Sequence, residues 1–142
     1  MFTILKFKKS DEELFAKAFA IRTEVFVKGL NIDPLLEADE YDAVAHHFLL
    51  LENDIPLATA RWRETEKGIK LERFAVPAAH RNKGIGAFLL KEILADVIPL
   101  KEKIYLHSQY TAINLYLKNG FKIEGPSFEE AGIKHYCMVH EG

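Results

Sequence analysis

The chain of 142 residues holds one cysteine, Cys137. That scarcity excludes an intrachain disulfide framework and argues against a thiolate metal site. Charge of either sign is not in excess. Nineteen Lys and Arg against 21 Asp and Glu leave a formal charge of −2, which gives no electrostatic footprint for nucleic acid or an anionic membrane. No apolar run approaches the roughly 18 residues that a membrane span needs. The opening stretch MFTILKFKKSDEELF puts its basic residues after a short apolar run and lacks a small-residue cleavage site. It does not read as a signal peptide, and a cytoplasmic location is expected. The six histidines show no HExxH spacing, so no metal is expected. Repeats, linkers and low-complexity segments are also missing. What remains, 49% hydrophobic and 28% charged residues, is the make-up of one soluble globular domain over 1–142. A chain of that length closes a single core without metal or disulfide help.

Phe2 to Lys8 roughly alternates apolar and polar, the period of a first strand. Ser10 and Glu13 have capping-box spacing and predict a helix start. Leu14, Phe15, Ala18, Phe19, Arg22, Val25 and Phe26 then recur at helical spacing until Gly29 and the Asn31–Pro34 stretch end it. Residues 34–44 carry Glu37, Asp39, Glu40 and Asp42, a run that reads as a solvated loop or, more sharply, as a rim that attracts amines. Strands are expected at 45–52 and 55–63, with Asn53-Asp54 as their hairpin turn. After the turn at Lys67-Gly68 a third strand of this meander runs on to Val76. A helix from Gly84 is apolar almost all round, apart from Lys91, Glu92 and Asp96, and Pro99 stops it. A strand at 103–108, a helix over 109–119 capped by Gly120, and strands at 121–124 and 133–140 complete the chain. The order strand, helix, three strands, helix, strand, helix, two strands predicts a mixed α/β (α+β) domain around one sheet of about seven strands.

The stretch from Leu71 to Val97, LERFAVPAAHRNKGIGAFLLKEILADV, carries the strongest chemical signal. Arg81, Lys83, Gly84 and Gly86 cluster where a helix begins. Glycines there let backbone approach a ligand closely, and the first N–H groups of the helix lack intrahelical partners. Those groups and the helix dipole favour an anion, and two basic side chains add formal charge. The pattern is that of a diphosphate cradle; a plain loop with solvated basic neighbours is the alternative.

This order of elements, with RxxGxG opening the helix after the fourth strand, resembles the GNAT superfamily of acetyl-coenzyme A-dependent N-acetyltransferases along essentially the whole chain. ERFAVPAAHRNKGIGAFLL is similar to that family's central motif, and NLYLKNGF to its FYxxxGF segment. LHSQ at 106–109, FEEAGIKHYCM at 128–138 and EADEYDAVAHHF followed by TARWR resemble an ElaA-like subgroup, with Ser108 where that subgroup usually shows alanine. The resemblance implies a mostly antiparallel sheet flanked by helices. It also implies transfer of an acetyl group from acetyl-CoA to a primary amine, of a small molecule or a protein, by direct transfer in a ternary complex.

Carried over position by position, the resemblance places the pyrophosphate of the donor on Arg81, Asn82, Lys83, Gly84, Ile85, Gly86 and Ala87. It lays the pantetheine arm along the backbone of Phe74, Ala75 and Val76, where one N–H polarises the thioester carbonyl. Gln109 is preferred over Asn114 for a further coenzyme contact. Tyr116 is the candidate acid for the leaving thiolate, against the alternative of a core tyrosine whose hydroxyl caps a carbonyl. For the base, Glu72 on the fourth strand competes with a salt-bridged role beside Arg73. His46 and His47 face opposite sides of their strand, and His47 is the one chosen for the cleft. His107 and His135 lie near its opening, and imidazole suits proton transfer near neutral pH. Arg61 and Arg63 share a strand face and are candidates for an anionic group on the acceptor. Cys137 reads as an inert thiol, not an acetyl carrier. Trp62 belongs to a core or to a dimer face, so monomer and homodimer both stand.

Two other classes are consistent with the same turn. One is a non-catalytic acyl-CoA-binding or sensing domain, against which Tyr116 speaks. The other is a nucleotide-binding domain, weakened because Gly84-Ile85-Gly86 lacks both the third glycine of a Rossmann turn and the Lys-Ser/Thr of a P-loop.

Overall fold

A computed structural model describes residues 1–141, apart from the side chains of Leu35 and Leu36; Gly142, the last residue of the expected domain, lies outside them. The elements run β1 (Phe2–Phe7), α1 (Glu12–Arg22), α2 (Pro34–Glu37), β2 (His46–Glu52), β3 (Ile55–Thr65), β4 (Gly68–Ala75), α3 (Ile85–Val97), β5 (Ile104–Gln109), α4 (Ile113–Leu117), β6 (Phe121–Ile123), β7 (Phe128–Glu130) and β8 (Ile133–His140). One sheet takes all the strands in the order β1-β2-β3-β4-β5-β8-β6, with β7 added as a hairpin on β8. That is one strand more than the sequence pattern predicts. β7 is only three residues long, too short for its alternation to register. Among the described residues only β4 and β5 pair in parallel. An antiparallel sheet of this kind removes the Rossmann and P-loop readings, which need parallel strands linked by crossover helices.

Two apolar layers close the sheet. Ile85, Leu89, Leu90, Ile93, Leu94 and Val97 of α3 bury against Phe48, Leu50, Trp62, Leu71 and Leu106. Ala18, Ile21, Val25 and Phe26 pack on the other face, against Phe7, Leu49 and Leu51. β2 is therefore apolar on both sides, which is why 48–51 reads FLLL without alternation. Trp62 lies in the α3 layer with His46 stacked on its ring at 4.0 Å, so it is a core residue.

The first helix starts one residue later than its capping box suggests: Asp11 is the cap, its carboxylate accepting from the Leu14 N–H at 3.2 Å. Past Arg22 the winding loosens into a π-type segment, Thr23–Lys28, in which the Gly29 N–H reaches the Glu24 carbonyl at 3.0 Å. Glycine is required at 29, because a Cβ there would stand 2.5 Å from the Val25 carbonyl oxygen. The looser winding turns both Val25 and Phe26 inward.

Two irregularities shape the sheet's centre. Between β3 and β4 the register passes from Arg61↔Glu72 to Thr59↔Ala75, so β4 holds one extra residue, and Arg73 there has φ +56°. Such a bulge bends a strand and re-aims its side chains. On its other edge β4 pairs with β5 only from Ile69↔Ile104 to Leu71↔Leu106. Beyond that point the two strands part, and a cleft opens between them.

Candidate active site

The cleft has a volume of about 1080 Å³ and is lined from both sides of the divergence. On one side stands the N-terminus of α3. Gly84 precedes it at φ +77°, a left-handed conformation that glycine adopts at no steric cost. The first N–H groups of α3 have no intrahelical acceptor, and Gly84, Ile85, Gly86 and Ala87 line the cleft. A Cβ built on Gly86 would stand 3.6 Å from Leu115 and 4.0 Å from Val76, in ordinary van der Waals contact with both. Arg81 lies exposed, with Nε donating to the Val76 carbonyl at 2.8 Å and its outer nitrogens left toward solvent.

Phe74, Val76, Arg81, Asn82, Gly84, Ile85, Gly86, Ala87 and Gln109 all line the cleft, together with Tyr116 and Glu72. Lys83 is exposed and outside the lining. The Ala75 methyl is buried in the α1 layer, so only its backbone remains relevant to the cleft. Tyr116 is buried, its ring held edge-on by Phe74 at 5.9 Å and Phe121 at 5.8 Å. Its hydroxyl has no hydrogen-bond partner among the described residues, so the carbonyl-capping alternative does not hold. Burial pushes this phenol far above its ordinary range, and it stays protonated.

Of the base candidates read from the sequence, His47 lies away from the cleft and Glu72 lines it but is already paired. His47 is buried at 2% exposure on the α1 side, stacked on Phe7 at 5.4 Å, with Nε2 donating to the Asp42 carbonyl at 2.9 Å. It does not reach the cleft. Burial lowers its pKa, so the neutral ring is favoured. Glu72 does line the cleft, but its carboxylate is saturated: Oε2 accepts from Arg61, while Oε1 accepts from Arg63 at 2.9 Å and lies 3.3 Å from Lys70. Burial alone would raise its pKa, yet the surrounding cations, Arg61 first, hold it below the usual carboxylate range. A carboxylate so stabilised is a poor proton acceptor.

Within the acidic run 34–44 Glu40 is exposed, while Glu37, Asp39 and Asp42 are taken up in ion pairs. Glu37 and Asp42 are each 2% exposed and hold Arg22, itself 1% exposed, by Oε1 and both Asp42 oxygens. Asp39 and Asp42 also bind Arg61, and Asp39 binds Arg73 at 3.1 Å. Arg61 is thereby consumed in the floor of the site, 1% exposed, and is not open to an acceptor. Burial opposes ionisation of Asp39 and Asp42, but the arginines outweigh it and their pKa values fall.

A different proton-handling group does face the cleft. β7 presents Phe128 and Glu130 on one face, and the Phe128 ring lies against both His107 (5.0 Å) and His135 (6.0 Å). Glu130 Oε1 is 3.1 Å from His107 Nδ1 and Oε2 is 3.7 Å from His135 Nε2. His135 Nδ1 lies 2.7 Å from the Ile133 carbonyl, which can only accept, so Nδ1 carries the hydrogen. That fixes Nε2 as the basic nitrogen, turned toward Glu130. The His107 contact, outweighing burial, lowers the Glu130 pKa. Cys137 on β8, opposite His107 in the β5–β8 register, is outside the lining, and burial raises its thiol pKa.

Residues 9–141 match the model of the acetyltransferase (GNAT) domain. The chain belongs to that family. This GNAT domain is 32% identical over 133 residues to YjcF, an uncharacterised N-acetyltransferase of Bacillus subtilis, covering 92% of this chain and 95% of that one. Its fold superposes on Escherichia coli ElaA with a TM-score of 0.86 at 26% identity, covering 99% of this chain and all of that one. An acyl-CoA N-acyltransferase from Pseudomonas aeruginosa gives 0.85 at 26% identity over 99% of each chain. The open, mostly antiparallel sheet flanked by helices is the fold these proteins share.

Tyr41, Lys70, Asn119 and Glu130 also line the cleft and were not singled out by sequence. Tyr41, Asn119 and Glu130 lie in segments that carry a signal, EADEYDAVAHHF, NLYLKNGF and FEEAGIKHYCM, whereas Lys70 lies in none.

Proposed function

We propose that this GNAT domain transfers an acetyl group from acetyl-CoA to a primary amine, with both substrates held in the cleft at once. The carrying observation is the gap between β4 and β5 beyond Leu71 and Leu106, with the Gly84–Ala87 backbone at one end and the unpartnered Tyr116 hydroxyl beside it.

The donor, when bound, supplies the thioester whose C–S bond breaks. The residues present fit it. N–H groups at Gly84–Ala87 and the Arg81 guanidinium take the diphosphate. The ladder-free edge of β4 at Phe74, Ala75 and Val76 pairs with the amide-bearing arm and offers one N–H to the thioester oxygen. Gln109 adds a side-chain amide. The acceptor amine loses its proton to His135 Nε2, held in that tautomer by the Ile133 carbonyl and supported by Glu130. The nitrogen then attacks the carbonyl carbon, the sulfur leaves with the Tyr116 proton, and the second proton given up by the new amide nitrogen restores the phenol. Each proton step is of a kind that contributes about 10²–10⁴-fold. Glu72 positions Arg61, Arg63 and Lys70 and takes no proton.

The test is titration calorimetry with acetyl-CoA on the wild type and on Arg81→Ala with Gly86→Val, both checked by thermal melting. Micromolar binding lost in the folded double variant, with thiol release on adding amines, is the expected result. Absence of binding by a folded wild type overturns the reading. Binding without thiol release across a broad amine panel leaves a sensing domain instead.

A further inference from the structure

The acceptor half of the cleft is electrically lopsided. In its floor five basic side chains, Arg22, Arg61, Arg63, Lys70 and Arg73, share four carboxylates, Glu37, Asp39, Asp42 and Glu72. Arg22 and Arg61 are buried, with Nε and both terminal nitrogens engaged. The uncompensated charge therefore falls on Arg63 and Lys70, which line the cleft and converge on one oxygen, Glu72 Oε1.

Arg63 is built to present that charge. Its Nε donates to Glu72, and its guanidinium lies over the Tyr41 ring at 3.8 Å, which fixes the plane. Its two terminal nitrogens have no partner among the described residues. A planar fork with both outer N–H pairs open matches a carboxylate in bidentate geometry. Lys70, opposite Arg63 in the β3–β4 register, adds a second cation. The lining also holds acids. Glu37, Asp39 and Glu72 are paired with arginines, and Glu130 is the one lining acid whose partners are histidines. Val25, Phe26, Leu30 and Ile32 give the same cleft an apolar part of its lining.

We infer that the acceptor is a primary amine bearing a carboxylate on an apolar skeleton, with the carboxylate on Arg63 and Lys70 and the amine toward Glu130 and His135. This deepens the proposed acetyl transfer and rests on it for the fate of the amine. Polyamines are disfavoured, because a second ammonium would face the two cations.

The experiment measures binding directly, by calorimetry, with and without saturating coenzyme A. The probes are matched pairs: leucine against isopentylamine, phenylalanine against phenethylamine, 6-aminohexanoate against hexylamine, with spermidine as the contrary case. At least one carboxylated probe is expected to bind tenfold or more tighter than its plain partner. Arg63→Gln should shrink that preference below threefold, Arg63→Lys should give an intermediate value, and Lys134→Gln, a cation outside the cleft, should retain it. Raising salt from 50 to 500 mM should narrow the preference in the wild type. Equal binding within every pair, tighter binding of spermidine, or a preference untouched by Arg63→Gln overturns the inference. Coenzyme A binding with no carboxylate preference defeats this inference alone. A carboxylate preference with no coenzyme A binding defeats the acetyl-transfer reading and leaves the anion site standing.

Discussion

Arg61 on β3 and Glu72 on β4 stand directly opposite each other, and the arginine gives two donors, Nε and Nη2, to a single carboxylate oxygen. The pair joins the strand that carries the cleft's open edge to the acidic segment folded beneath it, since Arg61 Nη1 also binds Asp39 and Asp42. A sheet with a bulge at Arg73 and a divergence beyond Leu71 loses ladder hydrogen bonds on both sides of β4. Side-chain ion pairs take over the task of holding that strand in place.

Replacing Arg61 by methionine leaves Asp39, Asp42 and Glu72 without their shared cation in a dry setting. Breaking one partner of a buried ion pair costs about 3–5 kcal/mol. Urea unfolding should register a loss of that size for Arg61→Met. Lys91→Met, on the exposed face of α3, should change stability by less than about 0.5 kcal/mol. A loss below about 1 kcal/mol for Arg61→Met would mean that the network is ornamental to the fold.

Tyr116 makes the opposite prediction, chemical with little structural cost. Its ring packs on Phe74 and Phe121, while its hydroxyl has no partner to lose. Tyr116→Phe should therefore alter the unfolding free energy by less than about 1 kcal/mol and leave acetyl-CoA affinity within twofold. Its turnover should fall by roughly 10²-fold or more. Unchanged turnover would remove the proton-donor role and leave Tyr116 as a core aromatic.

How much of this was legible in the sequence follows from the range of the interactions. The glycine turn, the Asn53-Asp54 hairpin and the apolar helix from Ile85 are local patterns, and the strands fall within a residue or two of where periodicity puts them. The acidic run 34–44 was misread because a carboxylate's burial depends on cations far off in sequence. Arg22 is 20 residues before Asp42, and Arg61 is 19 after it. His47 was misassigned for a related reason. Alternation states that His46 and His47 face opposite sides, but which side holds the cleft is decided by where β4 and β5 part. The β7 hairpin, which brings Glu130 to His107 and His135, leaves too short a trace to be read at all.

His47 also sets the acid limit of stability. Its pKa in the folded protein lies below the ordinary value of about 6.5 because burial disfavours the charged ring. Above that value neither state is protonated, and stability is at its full level. Below it the unfolded chain takes up a proton that the folded chain resists, so stability falls as pH drops toward the folded value. A second decline follows below about pH 4, where the unfolded chain's carboxylates take up protons that Asp39, Asp42 and Glu72 resist in the folded protein. The urea midpoint should drop between pH 7.5 and 5.5, and His47→Gln, which keeps a donor for the Asp42 carbonyl, should lose half or more of that drop. An identical slope in both proteins would assign the titration to another group.

His135 separates proton transfer from binding. The Ile133 carbonyl holds Nδ1–H, so the nitrogen facing the cleft is the one with a lone pair. His135→Gln should lower turnover about 10²-fold, with acetyl-CoA affinity unchanged because the donor is held by Arg81 and Gly84–Ala87. Glu130→Gln should weaken turnover less, since it removes the carboxylate 3.7 Å from Nε2 and leaves the imidazole in place. Glu72→Gln provides the contrast. It should destabilise the protein as Arg61→Met does, while the protein that remains folded keeps most of its turnover. If turnover is instead lost in folded Glu72→Gln and kept in His135→Gln, the proton goes to the β4 carboxylate despite its three cations, and the assignment of base and positioning residue must be exchanged.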